Sequence, residues 1–144
     1  MNFETVVKKI DENQEVFEDA FLFTDISDEE IALSEKILGF EIIQDYKKFL
    51  KKYGHGGFFF EFLGFGKNGK ALFADETLKF RKSGLPDKFM VFENCDEYVR
   101  CINSETGEVV SWSQHDKDGA VHEFDSFCEC FLDAVENAID NFDE

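Results

Sequence analysis

The sequence predicts an α+β fold: helices first, then a twisted, mainly antiparallel sheet over about residues 58–122, then a long helix. Helical periodicity and capping signals fill the early part of the chain. Short apolar runs separated by turn residues follow, and an amphipathic stretch closes the chain. Helices before and after a block of strands are typical of α+β domains. At 144 residues, the chain fits a single domain, 1–144.

The first helix is predicted over residues 2–19, and 11–13 is the place where it would break. Its apolar residues recur at helical spacing and are Phe3, Val6, Val7, Ile10 and Phe17. Residues 21–23 then lead into the next helix.

The second helix is predicted to begin at Ser27 and to end at Gly39. Ser27 and Glu30 form a capping box, in which each side chain covers an N–H group of the first turn. Ile26 and Ile31 are placed as a hydrophobic staple around that cap. Gly39 can take the left-handed conformation that ends a helix.

The third helix is predicted to have one apolar and one basic face. The apolar face consists of Ile42, Ile43, Tyr46, Phe49, Leu50 and Tyr53. The basic face carries Lys47, Lys48, Lys51 and Lys52. These lysines lie toward the C-terminal end, where the helix dipole favours positive charge. Glycines at 54, 56 and 57 then end the helix and open a first strand over residues 58–63.

The middle of the chain predicts one short helix and four further strands. The helix covers residues 75–82, with Asp75 as its cap and Leu78 on its apolar side. The strands are expected at residues 89–92, 98–102, 108–112 and 119–122, the second and third forming a hairpin over 103–107.

The last helix is the clearest element, and Ser126 with Glu129 gives it a second capping box. Its apolar seam is Phe124, Cys128, Phe131, Val135, Ala138 and Phe142, widened by Leu132 and Ile139. The opposite side carries four acids, here called the acidic stripe: Glu129, Asp133, Glu136 and Asp140. The helix contains no lysine or arginine, and acids at this spacing repel by a few tenths of a kcal/mol each.

The net charge of −17 is unevenly distributed. Residues 1–30 carry a net −8, residues 31–92 a net +4, and residues 93–144 a net −13. Such an asymmetry indicates an oriented field that can steer a basic partner. It argues against direct binding to nucleic acid, whose phosphates would be repelled.

The sequence predicts a cytoplasmic protein. No long apolar run at the start suggests a signal peptide, and apolar stretches of about four residues are too short to span a membrane. The cysteines are therefore expected to be reduced and packed as small hydrophobic residues; they are Cys95, Cys101, Cys128 and Cys130.

No motif for catalysis or cofactor binding is found. The spacing of Gly64, Gly66 and Gly69 matches a dinucleotide fingerprint, but a loop rather than a helix follows it. His115, His122, Cys128 and Cys130 are close in sequence. The two cysteines project about 200° apart on a helix and so cannot easily share one ion. We expect no metal and no cofactor, and an enzyme using a carboxylate pair in a cleft stays open as an alternative.

Two candidate surfaces are weighed against ordinary structural roles. The acidic stripe is either a solvated helix face or a partner contact. Loop acids could extend it: Asp96, Glu97, Glu105, Glu108, Asp116 and Asp118. The second candidate is residues 53–57, where the glycines chiefly end a helix and turn the chain. The residues of this segment that are weighed for such a role are Tyr53, Gly54, His55 and Gly56.

The order of these parts resembles the SMI1/KNR4 family, also called the SUKH superfamily, over about residues 24–140. After the capped helix, the matching pieces are Leu38-Gly39-Phe40, Asp45-Tyr46, Phe49-Leu50, Tyr53-Gly54 with a glycine pair, Phe62-Leu63-Gly64, Leu85-Pro86, Val109-Val110-Ser111-Trp112 and Phe124-Asp125-Ser126-Phe127. One departure is Ile43-Gln44, where the family usually has Leu-Pro before its second helix.

The resemblance implies binding rather than catalysis. Bacterial members of this size look like immunity proteins, which bind and neutralise a cognate toxin, often a nuclease. It also implies that residues 53–57 border the groove used for partners and that Trp112 belongs to the core. We expect a monomer or weak dimer that occludes a basic toxin domain stoichiometrically. The alternative is a regulatory interaction module of the fungal kind, although fungal members are usually longer, with disordered flanks.

Overall fold

The sheet is an antiparallel meander of four strands in the order β1-β2-β3-β4. A computed structural model describes residues 2–116 and 119–142. Its strands are β1 Phe89–Asn94, β2 Val99–Asn103, β3 Val109–Trp112 and β4 Val121–Phe124. Its helices are α1 Phe3–Asp11, α2 Asp28–Leu38, α3 Gln44–Lys52, α4 Leu72–Arg81 and α5 Phe127–Asn141. The predicted α+β class and the central hairpin are confirmed.

The predicted helix signals at Ser27 and Gly39 are confirmed. The Ser27 side chain accepts from the Glu30 amide, and the Glu30 carboxylate accepts from the Ser27 amide. Gly39 ends α2 with a φ of 88°. In α5, Ser126 accepts from the Glu129 amide, but the Glu129 carboxylate accepts from the amide of Asp125 instead of Ser126. The second capping box is therefore completed one residue earlier than expected.

The first helix ends at Asp11, where a break was expected. Residues 12–20 form successive turns and not a continued helix. Val16 and Phe17 are nevertheless buried, so this segment still packs on the core.

The predicted strand over residues 58–63 is wrong, and the sheet begins at Phe89 instead. Phe59 has a φ of 65°, in the left-handed region that a regular strand does not use. The Leu63 amide donates to the Phe92 carbonyl at 2.7 Å, beside an irregularity in β1. Residues 58–63 therefore run along the edge of β1 without forming a ladder.

The predicted start and buried face of the short helix before the sheet are also wrong. The helix begins at Leu72, three residues before Asp75, which lies in its first turn and is not its cap. Leu78 is 37% exposed, whereas Thr77 is buried. The Thr77 hydroxyl donates to the Phe73 carbonyl at 2.7 Å and accepts from the Val91 amide at 2.9 Å. This link fixes α4 against β1.

Aromatic rings from α3 and α5 meet in the core. The centroids of Tyr46 and Phe127 are 4.8 Å apart, and those of Phe49 and Phe131 are 5.5 Å apart, both edge to face. Such pairs contribute about 0.5–1.5 kcal/mol each beyond the area they bury. Because its inner side is held by these rings, α5 presents its acidic side outward.

Candidate partner-binding surfaces

The acidic stripe lies on the outside of α5, as its spacing predicts. Asp133, Glu136 and Asp140 are exposed, and Glu129 is half-buried at the helix start. None of the four carboxylates forms an ion pair within residues 2–116 and 119–142. The contact of Asp133 is with an uncharged group, the Asn137 amide, at 3.4 Å. The stripe is thus a row of uncompensated negative charge on a rigid support.

Two acids of the sheet, Glu93 and Glu123, are compensated by one arginine. Arg100 of β2 contacts Glu123 of β4 at 3.0 Å and Glu93 of β1 at 3.2 Å. Burial raises the pKa of Glu93, although the Glu61 amide and Arg100 act in the opposite direction. Both carboxylates face the same guanidinium. The network therefore ties three strands together and does not form a pair of carboxylates that share a proton.

A second ionic cluster lies where β4 runs into α5. His122 Nδ1 is 2.8 Å from Glu108 Oε2, and His122 Nε2 is 3.0 Å from Asp125 Oδ1. The sequence indicated His122 only as a weak metal candidate. Here its ring lies between two carboxylates at hydrogen-bond distance from each, and in the described part of the chain no His/Cys/Asp/Glu group is arranged to hold a metal.

The loop acids proposed to extend the stripe lie on turns of the sheet and beside strand ends, and their joining the stripe in one surface stays a prediction. Asp96, Glu97 and Glu105 are exposed on the turns that join the strands. Glu108 is engaged by His122, and Asp116 is exposed with partners of its own. Asp118 lies outside the described residues.

The segment at residues 53–57 is mainly structural. Tyr53 is 3% exposed, and Gly54 and Gly56 are also buried. A Cβ on Gly54 would lie 2.5 Å from the Thr24 hydroxyl, and a Cβ on Gly56 would lie 2.5 Å from the Ala20 carbonyl. Glycine is therefore required for close backbone approach and for the positive φ of both residues.

Of the predicted contact residues in this segment, His55 alone keeps a partly exposed ring. The Gly64 amide donates to His55 Nδ1 at 3.0 Å, and His55 Nε2 lies 3.4 Å from Glu61. The ring is thus held by two neighbours of the same loop. A contact of residues 53–56 with a partner stays a prediction, for which His55 offers the accessible atoms.

The cysteines are free thiols and pack as expected of small hydrophobic residues. Cys101, Cys128 and Cys130 are buried, and Cys95 is half-buried. Burial raises the pKa of Cys128 and of Cys130 to about 12, which keeps both thiols protonated at neutral pH.

A cavity of about 450 Å³, which no sequence pattern predicted, lies near the end of β3. Its walls include Phe80 of α4, Tyr98 and Trp112, and the exposed Asp96 and Glu97 stand at its rim. Trp112 is 7% exposed, so its prediction as a core residue is confirmed, but part of its ring also faces this cavity.

A comparison with known protein families gives a match over most of the chain. The model of a family described as SMI1-KNR4 cell-wall matches residues 3–136 of the chain. The match includes α1 to α4, the whole sheet and the first ten residues of α5. No helix in the described part of the chain combines the length and apolar character needed to cross a membrane.

Proposed function

The chain belongs to the SMI1-KNR4 cell-wall family, and we propose that it is a binding protein which neutralises a basic toxin domain as an immunity protein. The proposal continues the resemblance of the sequence to bacterial members of the family. It assigns the protein no catalytic step of its own. The partner would be held in a stoichiometric complex that covers the toxin's active site.

The observation that carries the proposal is the uncompensated charge of the acidic stripe. A solvated helix face normally mixes both signs, because opposite charges three or four residues apart stabilise the helix. The α5 face carries one sign only, and no described lysine or arginine pairs with it. A basic partner would supply the missing charge.

A nuclease toxin fits this surface physically. Nuclease domains that bind phosphate carry basic grooves, and an acidic inhibitor gains association rate and complementarity against them. The aromatic contacts on the inner side of α5 fix the helix that carries the carboxylates, which limits the backbone entropy lost on association. His55, on the predicted second contact segment, would add a peripheral contact.

The test is a triple charge reversal of Asp133, Glu136 and Asp140 to lysine. We expect the association rate with the basic toxin domain encoded next to this protein to fall at least about tenfold at low salt. The difference should shrink as salt rises and screens the charges. Stopped-flow or surface-based kinetics over a salt series measures both effects.

A matched control reverses Glu12, Glu15 and Glu18, which are exposed in the turns after α1 and change the net charge by the same amount. If both triple variants slow association equally, net charge rather than the stripe steers the partner. Unchanged rates in the α5 variant would remove the stripe from the mechanism. Turnover of a substrate by the purified protein alone would contradict the proposal as a whole.

A further inference from the structure

We propose that the cavity beside Trp112 receives an arginine side chain of the protein partner. The cavity lies between α4, the turn that joins β1 to β2, and the end of β3. The identity of the partner rests on the proposed function, but the preference of the cavity for a cation can be measured without that partner.

The walls of the cavity are suited to a flat cation. Phe80 and Trp112 meet edge to face with centroids 6.2 Å apart, and Tyr98 is 36% exposed beside them. Aromatic faces attract cations, and a guanidinium can also stack on them. The volume of about 450 Å³ lies within the range of ligand sites and can take a long side chain.

The rim adds negative charge. Asp96 and Glu97 are exposed, and no lysine or arginine is among the residues that line the cavity in the described part of the chain. Lys79 lies 5.2 Å from the centroid of Phe80, but it pairs with Glu76 at 3.7 Å. His115 also lines the cavity, so the attraction for a cation is assigned to the two carboxylates, Asp96 and Glu97.

The turn that carries the rim is fixed before any partner arrives. The Cys95 amide donates to the Tyr98 carbonyl at 2.9 Å, and the Asp96 amide donates to the Asn94 side chain at 2.9 Å. Asp96 has a φ of 69°, which aspartate and asparagine tolerate better than most residues. A turn whose backbone is held in this way loses little backbone freedom on binding.

Arginine fits this arrangement better than lysine. Its planar guanidinium can stack on a ring and donate two hydrogen bonds to one carboxylate, whereas an ammonium is a strongly hydrated point charge. Arginine is also enriched among the residues that dominate binding energy at protein interfaces. A basic toxin domain would present such side chains on its surface.

The single tryptophan of the chain makes the test direct, because Trp112 forms part of the cavity wall. We would titrate the protein with N-acetyl-arginine amide and follow tryptophan fluorescence. We expect a saturable change with a Kd in the roughly millimolar range. The uncharged isostere N-acetyl-citrulline amide should bind at least about tenfold more weakly.

Three results would overturn this part of the inference. The first is the absence of a saturable change, and the second is equal binding of the citrulline compound, since the cavity would then not select charge. The third is equal binding of N-acetyl-lysine amide, which would remove the preference for arginine.

Paired variants separate the cavity from general acidity. Asp96→Asn with Glu97→Gln keeps the shape of the rim and removes two charges, and we expect at least about tenfold weaker arginine binding. Asp133→Asn with Glu136→Gln removes the same charge from the acidic stripe and should change binding less than about twofold. An equal loss in both would overturn the proposal.

The role in partner binding is tested separately at high salt, where steering by the stripe is screened. There the Asp96→Asn, Glu97→Gln variant should bind the toxin domain at least about tenfold more weakly, and unchanged affinity would overturn that role. If the cavity binds arginine while reversal of the acidic stripe leaves association unchanged, the proposed role of the stripe is contradicted. The proposal for the cavity is then still supported.

Discussion

Helices α3 and α5 share one aromatic core layer but differ on their outer faces. Lys47 of α3 pairs with Glu35 of α2 at 3.1 Å, and Lys51 pairs with Asp28. The acidic stripe of α5 has no ion-pair partner among the described residues. Both helices contribute to the core, but two lysines of α3 form ion pairs with α2, whereas the acids of α5 form none in the described residues.

The difference separates charge that serves the fold from charge that does not. On α3, lysines join two helices of the same chain, so each pair adds a little stability. On α5, Glu129 helps to cap the helix start, but Asp133, Glu136 and Asp140 repel one another at three- and four-residue spacing without an ion pair in the described residues. Residues that cost stability without a structural return are typical of functional surfaces.

The largest expected effect concerns the layer that both helices share. Phe131→Ala should lower the free energy of unfolding by about 3–5 kcal/mol, because the ring is fully buried and contacts Phe49 and Phe62. Urea denaturation measures the change. Phe142 follows the end of α5 and is 37% exposed, so Phe142→Ala should lower the free energy of unfolding by less than about 1.5 kcal/mol. Equal losses would mean that the packing of the two helices is misassigned.

An intermediate effect is expected on the basic side of the comparison. Lys47→Glu places a carboxylate beside Glu35, whose other contact is the Ile42 amide at 2.7 Å. The matched control is Lys48→Glu, since Lys48 is exposed on the same helix and has no ion pair among the described residues.

Because both variants change the charge of α3 equally, their difference isolates the contact with α2. We expect Lys47→Glu to be less stable than Lys48→Glu by about 1 kcal/mol in urea unfolding. Indistinguishable midpoints and slopes would show that the pairing of α2 with α3 contributes nothing measurable.

The elements predicted well from sequence are those set by neighbouring residues. The cap at Ser27, the stop at Gly39 and the start of α5 at Ser126 each depend on groups within about one turn. The acidic stripe followed in the same way, since helical spacing alone places Asp133, Glu136 and Asp140 on one side.

The features that the sequence did not predict correctly depend on residues far apart in the chain. Residues 58–63 have the composition of a strand, but the left-handed φ of Phe59 interrupts the extended backbone. One backbone hydrogen bond, from the Leu63 amide to the Phe92 carbonyl, is too little to form a ladder with β1. The cavity needs Phe80, Tyr98 and Trp112 to converge from three elements, and no local spacing signals that. Tyr53 was placed both on the apolar face of the third helix and among the partner contacts, and the structure buries its side chain in the core.

The smallest expected effect is also the sharpest test of the comparison, because it should raise stability while it weakens binding. Glu136 lies three residues after Asp133 and four before Asp140. Glu136→Lys turns two repulsions into two attractions, with Asp133 and with Asp140. We expect the free energy of unfolding to rise by about 0.5 kcal/mol.

Glu136→Gln is the matched control, because it removes the charge without adding the opposite one and should give roughly half of that gain. Both gains should fade in high salt, since exposed pairs are screened. Association with a basic partner should slow in the same order, with lysine slower than glutamine. A loss of stability in Glu136→Lys would mean that Glu136 already has a favourable partner within the chain. The stripe would then stabilise the fold, as the paired lysines of α3 do.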